Sequence, residues 1–231
     1  MGKTTGLVCG AVAAGLWVGA ATAQGFKGAE LSAEILAFTE DTDLGETTYE
    51  GSVEFGVFGG FSVAADLSYH GFRSLDTDAS NVTIHALYDA MAFATVGLFY
   101  SRDEIEDEGL DIYGAEVGRS FGGLGVEGYL GVVDGEGDGQ VFGIDATYDL
   151  ASSVSLTGAV DVLTGDADAT RLAVGGEYRF GTGPSVYAEL GNLGVEGESE
   201  TFVTLGARIA IGPNDGTTFD SRGLFEVLTG F

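Results

Sequence analysis

The sequence predicts an all-β fold, a transmembrane antiparallel up-and-down β-barrel of about twelve strands with a short C-terminal tail. Three observations carry this. Segments of about ten residues, the length a tilted membrane strand needs, alternate apolar with polar or small side chains along most of the chain. The connections between these segments alternate short and long. The apolar face of each segment is continuous while the opposite face is charged, the reverse of a soluble barrel with a greasy core. Composition agrees: Gly supplies 40 of 231 residues, Pro only 2, Phe 15 and Tyr 9, a profile of strands and tight turns.

Residues 1–23 read as a cleaved signal peptide and stand apart from the fold. Lys3 is the positive start, a small and apolar run follows from Gly6 to Ala21, and Ala21-Thr22-Ala23 is the small-x-small end that a signal peptidase accepts. A run of this length could instead anchor as a helix, but its Gly and Ala content and its ending argue for cleavage after Ala23. Cys9 lacks the small residue before it that a lipoprotein site requires, so the mature chain is expected to hold no cysteine. Beyond Ala23 no stretch reaches the length of a membrane helix, which leaves a closed barrel as the spanning solution.

The barrel is expected over residues 24–211, with strand centres near Ala33, Val53, Ala65, His85, Val96, Ala115, Gly128, Asp145, Thr157, Val174, Ala188 and Leu205. Short connections fall at Gly59-Gly60, around Ala90-Met91, at Phe121 to Gly123, Leu150 to Ser152, and Gly181 to Pro184. Long ones fall at Thr39 to Glu46, Gly71 to Ser80, Arg102 to Gly109, Asp134 to Gly139, Thr164 to Ala169, and Asn192 to Glu200. An even strand number puts both ends on the side of the short turns, the periplasmic side, and turns the long loops outward. Those loops are dense in Asp and Glu, with Arg73 and Arg102 their only bases. Outward parity also places Tyr49, Tyr69, Tyr100, Tyr113 and Phe142 at one rim and Phe61, Tyr88, Tyr148, Tyr178 and Phe180 at the other, where aromatic girdles belong. Residues 212–231 form a tail set off by Gly212-Pro213-Asn214-Asp215-Gly216. This turn punctuation favours a periplasmic extension over a further strand or a short helix.

The formal charge is −27, with 36 acids against 9 bases. That excludes nucleic acid as a partner, because phosphate recognition needs clustered Lys and Arg. Parity turns Glu30, Glu34, Glu50, Glu54, Asp66, Asp89, Glu116, Glu127, Asp145, Asp149, Asp161, Glu177 and Glu189 inward, with Arg171, Arg179 and Arg208 as the bases and with His70 and His85 beside them. So many carboxylates cannot be buried dry beside three guanidiniums, so a water-filled, cation-preferring lumen is expected. Small lumenal residues, among them Gly97, Gly114, Gly131, Gly143 and Gly206, favour an opening. Enzymatic activity is not expected: both histidines face inward, no serine lies beside either at outward parity, and no G-x-S-x-G elbow occurs. No cofactor is called for. Gly2-Lys3-Thr4-Thr5 lacks the context of a phosphate loop. Asp134 to Gly139 with Asp145 copies a calcium-loop spacing, but it has the wrong twelfth residue and flanking strands instead of helices. Asp103, Glu104, Glu106, Asp107 and Glu108 read as a solvated loop that binds divalent ions loosely at most.

With this leader, lipid-out and polar-in strands, acidic outer loops and a terminal Phe231, the chain resembles the small porin-like outer-membrane proteins of Gram-negative bacteria over Gln24 to Phe231. The resemblance implies residence in the cell outer membrane, contact with its lipid, and delivery by the barrel-assembly machinery, which reads a final aromatic strand. The ending GLFEVLTGF, with Phe225, Val227, Thr229 and Phe231 alternating, fits that signal in part. The break at Gly212 to Gly216 departs from it. The function expected is passive diffusion of small hydrophilic solutes or cations; the alternative is a non-conducting structural or surface-interaction barrel with acidic loops. Assembly into a homo-oligomer is compatible with either.

Overall fold

A computed structural model of the chain describes residues 25–40, 44–73, 77–90, 94–106, 108–135 and 138–227. The expected signal segment and the terminal Phe231 lie outside the described residues. Twelve strands follow in order: β1 (Phe26–Phe38), β2 (Gly45–Phe58), β3 (Phe61–Phe72), β4 (Asp78–Ala90), β5 (Ala94–Ile105), β6 (Glu108–Phe121), β7 (Leu124–Asp134), β8 (Gly139–Ala151), β9 (Val154–Gly165), β10 (Ala169–Arg179), β11 (Ser185–Val195) and β12 (Glu198–Ile211), with one turn of helix, α1 (Leu224–Val227). Each strand pairs with its sequence neighbour, and β12 closes on β1 with Leu31 opposite Ile209 and Ile35 opposite Leu205. Every predicted strand centre falls inside one of them, and the barrel ends at Ile211 as the turn punctuation indicates.

A strand turns successive side chains to opposite faces, so one period-2 pattern fixes both surfaces of a closed sheet. The outer surface is apolar: Leu67 is 60% exposed and Leu205 61%, and Leu31, Ile35, Val63, Ile84, Leu98 and Val174 are exposed beside them. The inner surface holds the charges, with Glu54 and Asp66 both at 0% exposure. In water this arrangement would be inside out; in hydrocarbon it is the stable one. The predicted girdle aromatics are exposed on the outer surface except Tyr69, which is half buried opposite Tyr49.

The connections differ from expectation. Several loops predicted to be long are hairpins, because pairing continues past the point where apolar alternation stops. Strand β5 runs to Ile105 and β6 begins at Glu108; β11 ends at Val195 and β12 begins at Glu198. These projecting ladders carry charge on their outer face, where Arg102 meets Asp111 at 2.9 Å and Glu104 at 3.1 Å, so no hydrophobic period marks them. At the opposite end Gly59 and Gly60 turn tightly with φ of 55° and 86°, the positive pair that a two-residue hairpin requires.

The tail departs furthest from expectation. It is not a periplasmic extension; it re-enters the barrel. Gly212, at φ 106°, reverses the chain after β12, where a side chain would meet the backbone of Lys27 and Gly28. From there the segment climbs the inner wall. Thr217 Oγ1 lies 3.1 Å from Ser52 Oγ, and Thr218 N–H donates to Glu54 at 2.9 Å. Higher up, Ser221 donates to Asn81 at 2.8 Å and Leu224 N–H donates to Asp103 at 2.7 Å. Phe225 and Val227 therefore stand in α1 rather than in a strand edge, and Thr229 and Phe231 lie outside the described residues.

Glycine does not open the lumen either. Tyr129 lies across Gly143, Tyr187 across Gly206, Phe202 across Gly191 and Phe219 against Gly118, where a Cβ would overlap the ring. The first three pairs are direct cross-strand partners, so the missing side chains are notches in which aromatic rings lie flat.

Candidate functional site

The interior divides into an apolar collar and a polar region beneath it. Near the end where β5 meets β6, inward apolar side chains of consecutive strands gather: Phe99, Ile112, Val133, Val141 and Leu163 in one cluster, and Leu36, Phe38, Leu193 and Phe202 in a second, with Val195 touching both. Leu224 of the tail packs against the first. Phe225 sits 5.8 Å from the Phe72 ring and 5.4 Å from His70. Below this collar the interior is polar.

One side of the polar region is sealed between tail and wall. His85 bridges two carboxylates, Nε2 to Asp66 at 2.7 Å and Nδ1 to Glu116 at 2.6 Å, all three fully enclosed. Glu116 also takes Arg222 Nε at 3.0 Å, and the same guanidinium reaches Glu127 at 3.1 Å while lying 4.6 Å over the Tyr129 ring. His70 is held by Glu46 at Nδ1 and by Ser68 at 2.7 Å. Glu54 accepts from Ser62 at 2.8 Å and pairs with Lys27 at 3.2 Å. This chain of alternating charge follows from burial, because a carboxylate out of water needs a cation and hydrogen-bond donors: Glu54 has Lys27 with Ser62 and Thr218, Glu116 has Arg222 with His85, and Asp66 has His85 on one oxygen while the other bonds no described residue.

The other side keeps a space. A cavity of about 150 Å³ remains between the tail and the inner faces of β1, β2 and β7–β12, room for a handful of water molecules. Its walls carry Glu30, Glu34, Glu50, Asp145, Asp161 and Glu189 with Arg171 and Arg208, and the tail adds Asp220, Arg222 and Glu226. The arginines are shared: Arg171 lies 3.0 Å from Asp161 and 3.3 Å from Glu189, and Arg208 lies 3.4 Å from Glu30. Two tyrosines donate into this wall, Tyr129 to Asp161 and Tyr187 to Glu34, each at 2.8 Å.

The structure places the residues that parity turns inward in different surroundings. Glu30, Glu34, Glu50, Asp145, Asp161, Arg171, Glu189 and Arg208 border the cavity. Glu54, Asp66, His70, His85 and Glu116 are sealed behind the tail. Glu127 is bound to Arg222, and Glu177 and Arg179 lie towards the lower end, where Arg179 pairs with Asp215. Of the wider inward set, Asp89 and Asp149 are exposed at the rim, Asp89 in contact with Lys27 at 3.0 Å. Parity reasoning missed Glu46 and Asp103, placed in loops but buried inside, and every tail residue. Glu46 continues the inward series of Thr48 and Glu50, and Asp103 that of Phe99 and Ser101, so following the alternation a few residues further finds both.

A closed barrel, apolar towards lipid and charged towards an enclosed space, defines the class of outer-membrane channel proteins. The chain belongs to the Gram-negative porin family, whose family model matches residues 4–198, and its place is the outer membrane. Solved structures share the fold. The KdgM porin, solved in complex with disordered oligogalacturonate, is 11% identical with a TM-score of 0.60, the match covering 79% of this chain and 98% of that one. The NanC porin is 11% identical with a TM-score of 0.62, covering 78% and 98%. The COG4313 outer membrane channel from Pseudomonas putida F1 is 12% identical with a TM-score of 0.57, covering 83% and 97%. No curated protein matches the sequence.

Proposed function

We propose that this porin passes small hydrophilic solutes by passive diffusion, prefers cations, and carries no catalytic function. The observation that supports the preference is the charge of the remaining space: eight carboxylates border it against three guanidiniums, so after pairing the excess is negative. In a low-dielectric enclosure such an excess concentrates cations and repels anions. The same charge weighs against polyanionic sugars of the kind bound to the KdgM porin. A nucleophilic role for either histidine is disfavoured because both are enclosed and already engaged by carboxylates.

In planar bilayers under a potassium chloride gradient, the reversal potential is expected to carry the sign of cation flow. Glu30→Gln with Glu50→Gln should move it towards zero. An anion-selective reversal in the unaltered protein would refute the preference. One observation favours the alternative of a non-conducting barrel: tail and collar fill most of the interior. Membranes that stay silent after verified insertion would establish that alternative.

A further inference from the structure

The cavity is narrow because a covalently attached segment occupies the lumen beside it. We propose that residues 212–227 are a displaceable stopper that sets the width and charge of the passage; this builds on the channel reading above. The attachments are local and largely polar, with Phe219 packed on Ala64 and Leu87 and with Leu224 and Phe225 at the collar as the apolar ones. Outside its covalent link at Ile211, the segment is held by hydrogen bonds to Lys27, Ser52, Glu54, Asn81, Thr83 and Asp103, by the Arg179–Asp215 pair at its root and by the Arg222 ion pairs. Every wall partner stands on a strand already paired on both sides, so withdrawing the segment breaks no ladder bond and leaves the barrel closed. Water entering the vacated space would solvate each polar partner and offset the loss of those bonds, while the buried Phe219 and the collar residues oppose withdrawal.

The stopper also decides charge. Arg222 neutralises Glu116 and Glu127 and lies 3.9 Å from Asp145. Once it leaves, Asp220 and Glu226 go with it while Glu116 and Glu127 join the bordering set, so the carboxylates stay at eight while the guanidiniums fall from three to two, and the wide state is more cation-selective than the narrow one. At the upper end Leu224 and Phe225 complete the apolar collar, which opposes wetting while they stay. Arg222 is therefore the latch, and Leu224 with Phe225 the seal.

Thr83 Oγ1 and Ser221 Oγ lie 3.2 Å apart, a spacing that suits a reversible cross-link between wall and stopper. In the full-length T83C/S221C/R222A chain, single-channel steps after reduction with dithiothreitol are expected to be roughly twofold or more those of the oxidised form, as unblocking about half of a lumen would give. The reduced form should also show the stronger cation selectivity. If loss of Arg222 prevents assembly, T83C/S221C with Arg222 retained gives the same comparison through large steps that appear only after reduction. Equal, non-zero steps in both redox states, with the disulfide verified, would overturn the stopper and leave the channel reading standing. Silence in both states with verified insertion would overturn the channel reading and the stopper with it.

Discussion

His85→Leu is expected to lower the unfolding free energy of the barrel by about 3–5 kcal/mol, the loss that follows when one partner is taken from a buried charge network. Among the described residues the imidazole alone bonds both Asp66 and Glu116, at 2.7 and 2.6 Å, and all three are shut away from water. Leucine fills the volume but leaves Asp66 without its histidine partner; Glu116 keeps Arg222. The penalty is therefore a stranded carboxylate, not a lost contact. Adding Asp66→Leu should recover part of the loss, because it removes the stranded carboxylate and leaves only Glu116 Oε1 without its histidine donor. Urea titration in lipid vesicles, read by the gel mobility of the folded form, measures both variants. A loss below about 1 kcal/mol for H85L would show that the network is hydrated and the tail does not seal it.

The second large effect lies on the other surface. Leu67→Arg is expected to destabilise the inserted barrel by about 2–4 kcal/mol, the cost of a guanidinium near the middle of the bilayer. Leu67 is 60% exposed halfway along β3 and points away from the charged interior. Its chain neighbour Asp66 is fully enclosed. In a soluble barrel an exposed Leu→Arg change would be within about 0.5 kcal/mol of neutral. The same titration reads it, and a neutral result would argue that this surface does not meet hydrocarbon.

The wall was legible in the sequence because membrane strands leave a period-2 record on both faces, as in Val63, Ala65 and Leu67 against Ser62, Asp66 and Ser68. That record ends where lipid ends. Hence the ladder beyond Tyr100 and Tyr113 reads as loop, and Asp103 is misplaced although its backbone is paired with Leu110. Lumenal glycines mislead for a related reason. Gly143 and Gly206 look like space until the register sets Tyr129 and Tyr187 directly opposite them. A short tail with a single turn of helix has no period to read. Its clue is arithmetic of charge: Glu116, Glu127 and Asp145 need a cation that the strands do not supply, and Arg222 is the only base after Arg208. Sequence parity finds the carboxylates, but only the folded chain shows which of them the tail covers.

Everything in this account depends on which face of the sheet meets lipid. Single spin labels placed in turn from Ser62 to Ser68 along β3, in the protein reconstituted into vesicles, measure this directly through collision with dissolved oxygen. Positions 63, 65 and 67 are expected to show the high oxygen contact of a hydrocarbon environment and positions 62, 64, 66 and 68 low contact. An absence of alternation, or high contact at the even positions, would contradict a barrel whose apolar face is outward and whose carboxylates are enclosed.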